Sequence, residues 1–275
     1  MSRGRRLRCR EPKRSLALPG EAIRLVATAF THEGALRPTN QDSVALGQWI
    51  ESTSMAAPRV VELEVDCPVL ALVADGMGGH AAGEVSSRAA AEYLVSQAVR
   101  ATGAREAAAI LREAHALQFA LMQEQPRLLG MGTTVAGIAV GCEGVVLFNI
   151  GDSRVYRIEA RGLIQLSTDD TPGPKLADGR TAARTTALIT QTLGGADVVN
   201  GIEPHVLEEP LEAGARYLIC SDGLTDLLDL ADIGAELEED DEASVSALFK
   251  AAMAKGGHDN VSIILVRLHR GRPAC

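Results

Sequence analysis

The sequence predicts one α+β domain, in which antiparallel strands and helices occupy separate parts of the chain. Short apolar runs that end at Gly- or Asp-containing turns are typical of buried strands. Two consecutive stretches of helical composition are segregated from these runs, which favours α+β over a parallel α/β architecture. A chain of 275 residues that is 46% hydrophobic and 23% charged is long enough for one sizeable core.

The strands are predicted from short runs rich in Val, Leu, Ile and Ala. These runs are residues 23–30, 69–74, 133–140, 145–150, 155–158, 202–207, 216–220 and 261–268. The three runs between residues 133 and 158 are separated only by short Gly-containing turns and predict an antiparallel meander.

The helices are predicted from composition and from the spacing of apolar residues. Residues 84–100 have helical composition, and a short helix is expected over residues 224–230. The acidic run at 236–242 is interpreted as the solvated start of a helix that reaches Met253, where acidic residues suit the helix dipole. Residues 105–125 place one set of apolar side chains on a single helical face: Ile110, Leu111, Ala114, Leu117 and Leu121.

The remaining segments are predicted to be loops. Residues 31–42 and 51–59 are rich in polar residues, Pro and Ala. Residues 169–201 are bracketed by Pro- and Gly-containing turns and are interpreted as a surface flap with one short helix at 181–193. Such a flap would shape the access of a substrate.

The formal net charge of −9 is unevenly distributed. Of the 27 basic and 36 acidic residues, residues 1–19 carry seven and one, which leaves 20 basic and 35 acidic residues, a charge near −15, for the remainder. A basic arm can bind nucleic acid or anionic lipid, but no aromatic or amphipathic pattern accompanies this one, and an acidic body argues against nucleic acid as the main partner. We expect a disordered leader at residues 1–20, a catalytic domain at residues 21–270 and a tail at residues 271–275.

No apolar segment has the length of a signal-peptide core or a membrane span, which predicts a cytoplasmic protein with no membrane partner and a monomer as the default. Five cysteines without a Cys-x-x-Cys spacing indicate neither a disulfide framework nor a zinc ribbon. Cys67, Cys142 and Cys220 lie in or beside apolar runs and are interpreted as inert core residues.

Acidic residues stand where several predicted strands end or begin. Strand ends from distant parts of the chain could bring these carboxylates together, and Mg²⁺ and Mn²⁺ prefer oxygen ligands of this kind. Crowded carboxylates repel each other, so a divalent ion is the natural counter-charge. The acidic turns are Asp75-Gly76, Gly151-Asp152-Ser153, Ser221-Asp222-Gly223 and Asp259-Asn260.

The order of these turns along the chain resembles that of the metal-dependent protein phosphatases of the 2C type, in their bacterial form. Each motif alone is weak, whereas six motifs in this order between about residues 24 and 268 are specific. The resemblance implies a sandwich of two antiparallel sheets flanked by helices, with a binuclear metal site at one end. The motifs are Arg37-Pro38-Thr39-Asn40-Gln41-Asp42, Asp75-Gly76-Met77-Gly78-Gly79-His80, Gly132-Thr133-Thr134, Gly151-Asp152-Ser153-Arg154, Ser221-Asp222-Gly223 and Asp259-Asn260.

The resemblance implies two Mn²⁺ or Mg²⁺ ions and their ligands. Asp75 would bridge the two ions, and the carbonyl of Gly76 would bind the second. Asp222 and Asp259 would bind the first ion. Asp42 would serve the second ion, directly or through water.

The resemblance also implies a weaker third metal site, formed by Asp152 together with Asp222. Asn40 and Asn260 would support the ligands from behind, which is how ligand geometry is usually held. The Gly132-Thr133-Thr134 motif is interpreted as close backbone packing at a crowded strand start.

The implied reaction is a direct attack of a metal-bridging hydroxide on phosphorus, without a covalent enzyme intermediate. Arg37 would hold the non-bridging phosphate oxygens in its planar fork. Many relatives have a His where this chain has Met77, so His80 or a metal-bound water is the candidate for protonating the leaving alkoxide.

Other interpretations of these residues stay open. Asp-Gly and Gly-Asp-Ser are also ordinary turn sequences, and His80 fits a structural role as well as an acidic one. A cysteine phosphatase would need an Arg six positions after its nucleophile, and a phosphoaspartate route of the haloacid-dehalogenase kind would need Asp-x-Asp. The sequence contains neither pattern.

We therefore expect an enzyme that hydrolyses phosphoserine and phosphothreonine on proteins that a Ser/Thr kinase has modified. Two other functions would use the same residues. One is a catalytically silent relative that binds phosphoproteins, and the other is a phosphoesterase for small molecules on the same fold.

Overall fold

The structure, a computed structural model, describes residues 23–65, 67–78, 82–172 and 188–270. Its strands are β1 (Ile23–His32), β2 (Asp42–Leu46), β3 (Trp49–Glu51), β4 (Arg59–Glu64), β5 (Val69–Met77), β6 (Gly132–Thr133), β7 (Val135–Gly141), β8 (Gly144–Ile150), β9 (Arg154–Glu159), β10 (Gly162–Gln165), β11 (Leu193–Gly194), β12 (His205–Glu209), β13 (Arg216–Cys220) and β14 (Val261–Arg270). Its helices are α1 (Ala82–Ser96), α2 (Ala104–Glu124), α3 (Asp222–Thr225), α4 (Leu230–Ala235) and α5 (Asp241–Ala254), with 3₁₀ turns at Ala98–Arg100 and Pro126–Leu128.

Within these ranges the strands form two antiparallel sheets. The six-stranded sheet has the order β10-β9-β13-β14-β1-β4. The eight-stranded sheet has the order β11-β6-β5-β7-β8-β12, with β2 paired to β5 and β3 paired to β2. All described pairings are antiparallel, so the predicted α+β class with two antiparallel sheets is confirmed.

The alternation of side chains along the strands builds four layers. On β14, Ile264 and Val266 face the other sheet and belong to the core between the sheets. Ile263 and Leu265 point the opposite way and pack against α5 through Leu248. Because successive side chains of a strand point to opposite faces, one apolar strand supports two separate cores.

The helices α1 and α2 cover the outer face of the eight-stranded sheet. Leu94 of α1 and Leu111 of α2 lie in one buried cluster with Leu72 and Ala74 of β5. This cluster covers one face of the strand that leads to Asp75. Ala71 and Val73 of the same strand pack between the sheets on the other face, so both faces of the strand are held.

The predicted meander over 133–158 is wrong at its third strand. β7 and β8 form a hairpin, but β9 belongs to the other sheet, where it pairs with β10 and β13. Gly151 has a φ of 95°, a conformation that other residues rarely adopt, and the chain crosses between the sheets at this turn. A short polar turn in the sequence does not distinguish a hairpin from such a crossing.

Several short strands were not predicted. β2 begins at Asp42, the last residue of a predicted loop, and continues through residues 43–46, for which no element was predicted, although all of β2 is buried. β4 is an edge strand whose charged residues alternate with Val and Leu, as edge strands commonly do. β3 and β10 are too short to produce an apolar pattern.

The helices α1, α2 and α5 are confirmed, with small shifts at their ends. Instead of one helix over 224–230, the chain forms α3 and α4 on either side of that segment. Of the helix expected over 181–193, residues 181–187 lie outside the described ranges. Residues 188–192 are not helical, because they approach β11, where Leu193 is fully buried.

Two further sequence-based interpretations have clear outcomes. Cys220 is a buried core residue as expected, whereas Cys67 and Cys142 are exposed thiols, so their interpretation as core residues is wrong. The polar turns around both explain the difference, since each lies beyond the end of its apolar strand. In the described ranges no helix is both long and apolar enough to span a membrane.

Candidate functional site

Asp42 and Asp75 face each other across two neighbouring strands. The register of β2 and β5 places Asp42 directly opposite Asp75. Residues that stand opposite in an antiparallel pair have Cα atoms about 4.5–5.5 Å apart and side chains on the same face. The sheet itself therefore brings these two carboxylates together.

The Asp42 carboxylate is fully buried and is held from one side only. The Ser262 hydroxyl donates to Asp42 Oδ2 at 2.7 Å, and the Asp42 backbone N–H donates to Asn40 Oδ1 at 3.2 Å. Asp42 Oδ1 has no hydrogen-bond partner among the described residues. Burial raises the pKa of Asp42 to about 7, against the opposing hydrogen bond from Ser262.

The Asp75 carboxyl lies where negative charge accumulates. Burial is the largest cause that raises its pKa well above the usual value, and neighbouring acidic groups raise it further. A divalent cation would offset both effects, since it supplies charge and replaces the lost hydration. The neighbouring groups are Asp42, Asp222, Asp152 and Asp259.

Gly76 lies at a close approach of three backbone segments. A Cβ atom at this position would collide with the carbonyl oxygens of Gly83 and Gln41. The Gly76 N–H donates to the Gln41 carbonyl at 3.2 Å, which ties β5 to the residue before Asp42. A side chain at Gly76 would push apart the strands that carry the two facing carboxylates.

Asp222 and Asp259 come from the six-stranded sheet. Asp222 is the first residue of α3, directly after β13, and Asp259 precedes β14. These strands are neighbours, so two residues that are distant in sequence reach the same end of the sandwich. Gly223 permits this approach, because a Cβ there would collide with the Asn260 carbonyl.

Arg37 lies at the solvent-exposed rim of this acidic group. Its Nη2 atom is 2.7 Å from Asp259 Oδ2, and 53% of its side chain is exposed against 38% for Asp259. The hydrogen bond and charge of Asp259 raise the pKa of Arg37, with smaller contributions from Asp75 and Asp222. The guanidinium of Arg37 therefore lies beside the carboxylates, and part of it remains exposed to solvent.

Asn260 connects the loop that carries Arg37 to β14. Its Oδ1 atom accepts from the Gln41 N–H at 2.8 Å, and its Nδ2 group donates to the carbonyls of Glu33 and Thr39 at 3.0 and 2.9 Å. Asn40 acts in the same loop, where its Nδ2 group donates to Thr31 Oγ1 at 2.8 Å. Both Asn side chains are buried, so they fix the loop on either side of Gln41.

Asp152 is buried in the turn between β8 and β9. The next residue, Ser153, shares a hydrogen bond of 2.7 Å with Thr134 Oγ1. Thr134 in turn is bonded to the backbone of Asp75, to the carbonyl at 2.9 Å through its N–H and to the N–H at 3.4 Å through its hydroxyl. Thr134 thus couples the turn that carries Asp152 to the end of β5.

Asp170 holds the same turn from the other side. Its Oδ2 atom accepts from the Gly151 N–H at 2.9 Å, and its Oδ1 atom contacts Gln191 Nε2 and His205 Nε2, both at 2.8 Å. Its backbone bonds to the Gly151 carbonyl and the Thr190 N–H. One buried carboxylate therefore joins the turn of Asp152 to the segment before β11 and to β12.

The structure brings Asp42, Asp75, Asp152, Asp222 and Asp259 into electrostatic contact, with Arg37 at their rim. Among the described residues, no three His, Cys, Asp or Glu side chains already stand in ligating positions around one point. Asp259 is instead paired with Arg37. The oxygen-only donor set and the unsatisfied Asp42 Oδ1 nevertheless fit a hard divalent cation.

His80 lies outside the described residues, so its role stays a prediction. Met77, at the end of β5, pairs with Gly132 of β6. The close packing expected for the Gly132-Thr133-Thr134 motif is confirmed, because a Cβ on Gly132 would collide with the backbone of Gly195.

The sequence analysis missed several residues that shape the site. Ser262 and Asp170 stand in ordinary strand and loop contexts, and their contacts span 220 and 35 positions of the chain. Arg154 and Asp169 form an ion pair of 2.6 Å at the start of β9. Arg154 was part of a quoted motif, but nothing in the sequence identified its partner.

Comparison with known proteins identifies the family. The model of the protein family described as protein phosphatase 2C matches residues 60–261. The serine/threonine protein phosphatase PstP of Mycobacterium tuberculosis is 34% identical over 248 residues, which is 86% of this chain and 44% of PstP. The chain thus spans less than half the length of this relative. The serine/threonine phosphatase stp of Listeria monocytogenes is 28% identical over 74% of this chain and 88% of its own length.

Comparison with solved structures leads to the same protein, PstP. The crystal structure of the catalytic domain of PstP in complex with two manganese ions has a TM-score of 0.70 and 30% identity, covering 90% of this chain and 99% of that one. Another crystal structure of PstP has a TM-score of 0.71 at 30% identity, covering 90% of this chain and 100% of that one. The resemblance drawn from the six motifs is confirmed, and the chain belongs to the protein phosphatase 2C family.

Proposed function

We propose that this protein is a metal-dependent Ser/Thr protein phosphatase that hydrolyses phosphoserine and phosphothreonine and uses two Mn²⁺ or Mg²⁺ ions. The observation that carries the proposal is the pair of facing carboxylates, Asp42 and Asp75, of which Asp42 is buried with one oxygen unsatisfied among the described residues. A buried, unpaired carboxylate is costly unless a cation compensates it. The names of the relatives support the substrate class.

The described residues would divide the metal ligands between two ions. Asp75 would bridge them, as the family resemblance implies, and it stands opposite Asp42 in the sheet. Asp222 and Asp259 would hold the first ion. The Gly76 carbonyl and Asp42 would hold the second, directly or through water.

Asp152 would complete a third and weaker site together with Asp222. Its turn is fixed by Thr134 through Ser153 and by Asp170 through Gly151, so its position depends on residues outside the acidic group.

Two such ions lower the pKa of a shared water enough to supply the nucleophile near neutral pH. Arg37 would bind the non-bridging oxygens of the phosphate in its planar fork and offset the charge that develops on them. To bind the phosphate, Arg37 must donate hydrogen bonds from its guanidinium to Asp259 and to the phosphate at the same time. Its half-exposed position at the rim makes that sharing possible, and Asn260 holds its loop in place.

The leaving alkoxide must receive a proton. Met77 carries none, so we assign this step to His80 or to a water at the site. Replacement of His80 by Gln would lower turnover of a phosphopeptide more than turnover of an aryl phosphate, whose leaving group needs no proton.

The protein would act in the cytoplasm on proteins phosphorylated by a Ser/Thr kinase. The acidic charge of the whole chain supports phosphoproteins rather than nucleic acid as partners. A monomer is the default for the assembly.

Phosphate release from a phosphothreonine peptide tests the proposal. We expect release with Mn²⁺, loss of release on chelation and recovery when Mn²⁺ is added back. Asp75→Asn should reduce turnover by about three orders of magnitude, since the bridging charge supplies several kcal/mol to the transition state. The matched control Asp197→Asn removes an exposed carboxylate outside the site and should leave turnover unchanged.

Four outcomes would contradict the proposal. Release that survives chelation, or full activity of Asp75→Asn, would exclude metal-dependent hydrolysis. No release by the folded protein would favour a silent phosphoprotein-binding module. Preference for phosphorylated metabolites over the phosphopeptide in competition would indicate a small-molecule phosphoesterase.

A further inference from the structure

A second site lies at the other end of β5 from Asp75. A cavity of about 320 Å³ opens there, and both exposed cysteines, Cys67 and Cys142, line it. Cys67 precedes Asp75 by eight residues, nearly all of them in β5, which at about 3.3 Å per residue separates the two sites by roughly 26 Å. The cavity is therefore not part of the acidic site.

The strand register brings the two cysteines to the same edge of the sheet. Val69 of β5 pairs with Val140 of β7. The residues next to this pair also approach each other, because a Cβ on Gly141 would lie 3.6 Å from the Pro68 side chain. Cys67 and Cys142 are the next residues beyond Pro68 and Gly141 in the sequence.

Both cysteines lie just outside the paired strands. Cys67 stands two residues before β5 and Cys142 directly follows β7. The Cys142 thiol lies 3.4 Å from the carbonyl of Val65, which places it beside the segment that leads into Cys67.

The separation at this edge of the sheet is close to the one that a disulfide spans. Paired residues such as Val69 and Val140 have Cα atoms about 4.5–5.5 Å apart, and disulfides join Cα atoms about 4.4–6.8 Å apart. Cys142 lies in the two-residue turn between β7 and β8, whose ends Gly141 and Gly144 pair with each other. A turn at the edge of a sheet can adjust to bond formation without disturbing the core.

The charge of the residues that line the cavity favours a neutral oxidant over an anionic one. Carboxylates of Glu143, Glu208 and Glu209 line the same cavity as the cysteines. Glu208 is fixed there, because it accepts from the Ala104 N–H at the start of α2 at 2.6 Å. Their negative charge disfavours anionic oxidants such as glutathione disulfide and leaves access to a small neutral hydroperoxide.

We propose that Cys67 and Cys142 are a thiol-oxidation site, at which a hydroperoxide converts the two thiols into a reversible intramolecular disulfide. One cysteine, as its thiolate, attacks the O–O bond and becomes a sulfenic acid, and the peroxide is reduced with release of hydroxide or alkoxide. The second thiol then displaces water from the sulfenic acid and forms the S–S bond. The two electrons lost by the thiols are those gained by the peroxide.

The disulfide would tie the start of β5 to the turn between β7 and β8. It would close a long loop that includes α1 and α2, which restricts the unfolded chain more than the folded one. The oxidised protein should therefore unfold at a higher temperature than the reduced protein, and reduction should reverse the shift.

Peroxide treatment of the full chain tests this site. Cys9 and Cys275, which lie outside the described residues, are first replaced by Ser, so that Cys220 is the only other thiol. We expect a mass about 2 Da lower after peroxide, a disulfide-linked peptide pair that contains Cys67 and Cys142, and an unfolding temperature raised by roughly 5–10 °C. Dithiothreitol should restore the mass and the unfolding temperature.

Cys220 provides an internal control. Burial raises the pKa of its thiol to about 12, so it should remain reduced under the same treatment. Cys67→Ser and Cys142→Ser should each prevent the cross-link and the thermal shift. The assignment is overturned if both single variants still gain stability on oxidation, or if the two cysteines acquire only sulfinic or sulfonic acids without cross-linking. Neither measurement depends on phosphatase activity.

Discussion

The two facing carboxylates of the site are supported by hydroxyl and backbone groups from other parts of the chain. Asp42 is bonded by Ser262, and the end of β5 at Asp75 is bonded by Thr134. The electrostatic free energy that is lost when carboxylates lie close together is thus partly offset by groups that approach them only in the folded protein. Arg37 differs, because it supplies a full positive charge from the rim.

Arg37 is the residue whose replacement separates substrate binding from the metal site. Arg37→Ala should lower kcat/KM for a phosphopeptide by about 10- to 100-fold, since charge-assisted hydrogen bonds contribute about 1.5–3 kcal/mol. Arg37→Lys should recover only part of this, because Lys lacks the planar fork. The measurement is steady-state kinetics at saturating Mn²⁺.

The matched control is Arg24→Ala, which removes an exposed ion pair with Glu62 on the edge of the six-stranded sheet. It should leave kcat/KM within a factor of two. If Arg37→Ala instead reduced Mn²⁺ affinity and left KM unchanged, its ion pair with Asp259 would be structural and the phosphate-binding role would be wrong.

At the scale of elements, the site depends on how strands are placed rather than on their apolar content. β2 places Asp42 opposite Asp75, and the crossing at Gly151 carries Asp152 from one sheet to the other. Asp170 supports this crossing with bonds to Gly151, Gln191 and His205.

Asp170→Ala should destabilise the fold and loosen the turn of Asp152 together. It leaves the buried Gly151 N–H and the Gln191 amide without their acceptor, which costs about 2–4 kcal/mol in the free energy of unfolding. Urea denaturation measures this loss, and hydrogen exchange should show faster exchange at Gly151 and Thr190 than in the wild type.

The control is Asp197→Ala, which replaces an exposed Asp and should change neither quantity. Unchanged exchange at Gly151 in Asp170→Ala would mean that Thr134 and Ser153 hold the turn without help from Asp170. In that case the destabilisation would come from the segment before β11 alone.

At the scale of the whole molecule, the stability of the protein should depend on pH in the absence of metal, and this dependence should disappear when metal is bound. Burial raises the pKa of Asp42 to about 7 and that of Asp75 well above its usual value. The folded chain then binds more protons than the unfolded chain between roughly pH 4 and 7. This contribution to stability is complete below about pH 4 and is lost as the pH rises through 7.

Thermal unfolding between pH 5 and 8 measures this dependence. In the presence of a chelator the unfolding temperature should fall as the pH rises, and excess Mn²⁺ should remove the fall, because a ligand that binds only the folded state stabilises it. Asp75→Asn should reduce the slope in chelator. A chelated wild-type protein with no slope would show that the two carboxyls are not buried against each other.

The sequence was sufficient for the class of the fold, for most long elements and for the acidic residues of the site. These depend on local patterns: short apolar runs mark β1, β5 and β14, helical spacing marks α2, and Asp beside Gly or Asn marks the strand ends. It was insufficient for β2, whose polar start conceals a buried strand, and for the exposure of Cys67 and Cys142.

The chain by itself therefore determined the family and the candidate residues for its chemistry, since ligand type and motif order are properties of the linear sequence. Only the tertiary structure decided which sheet receives β9, that Asp42 stands opposite Asp75, and that Ser262 and Asp170 hold the surrounding backbone. The physical reason is that hydrogen-bond partners and pKa values arise from groups that meet across the sandwich. A local pattern contains no information about such partners.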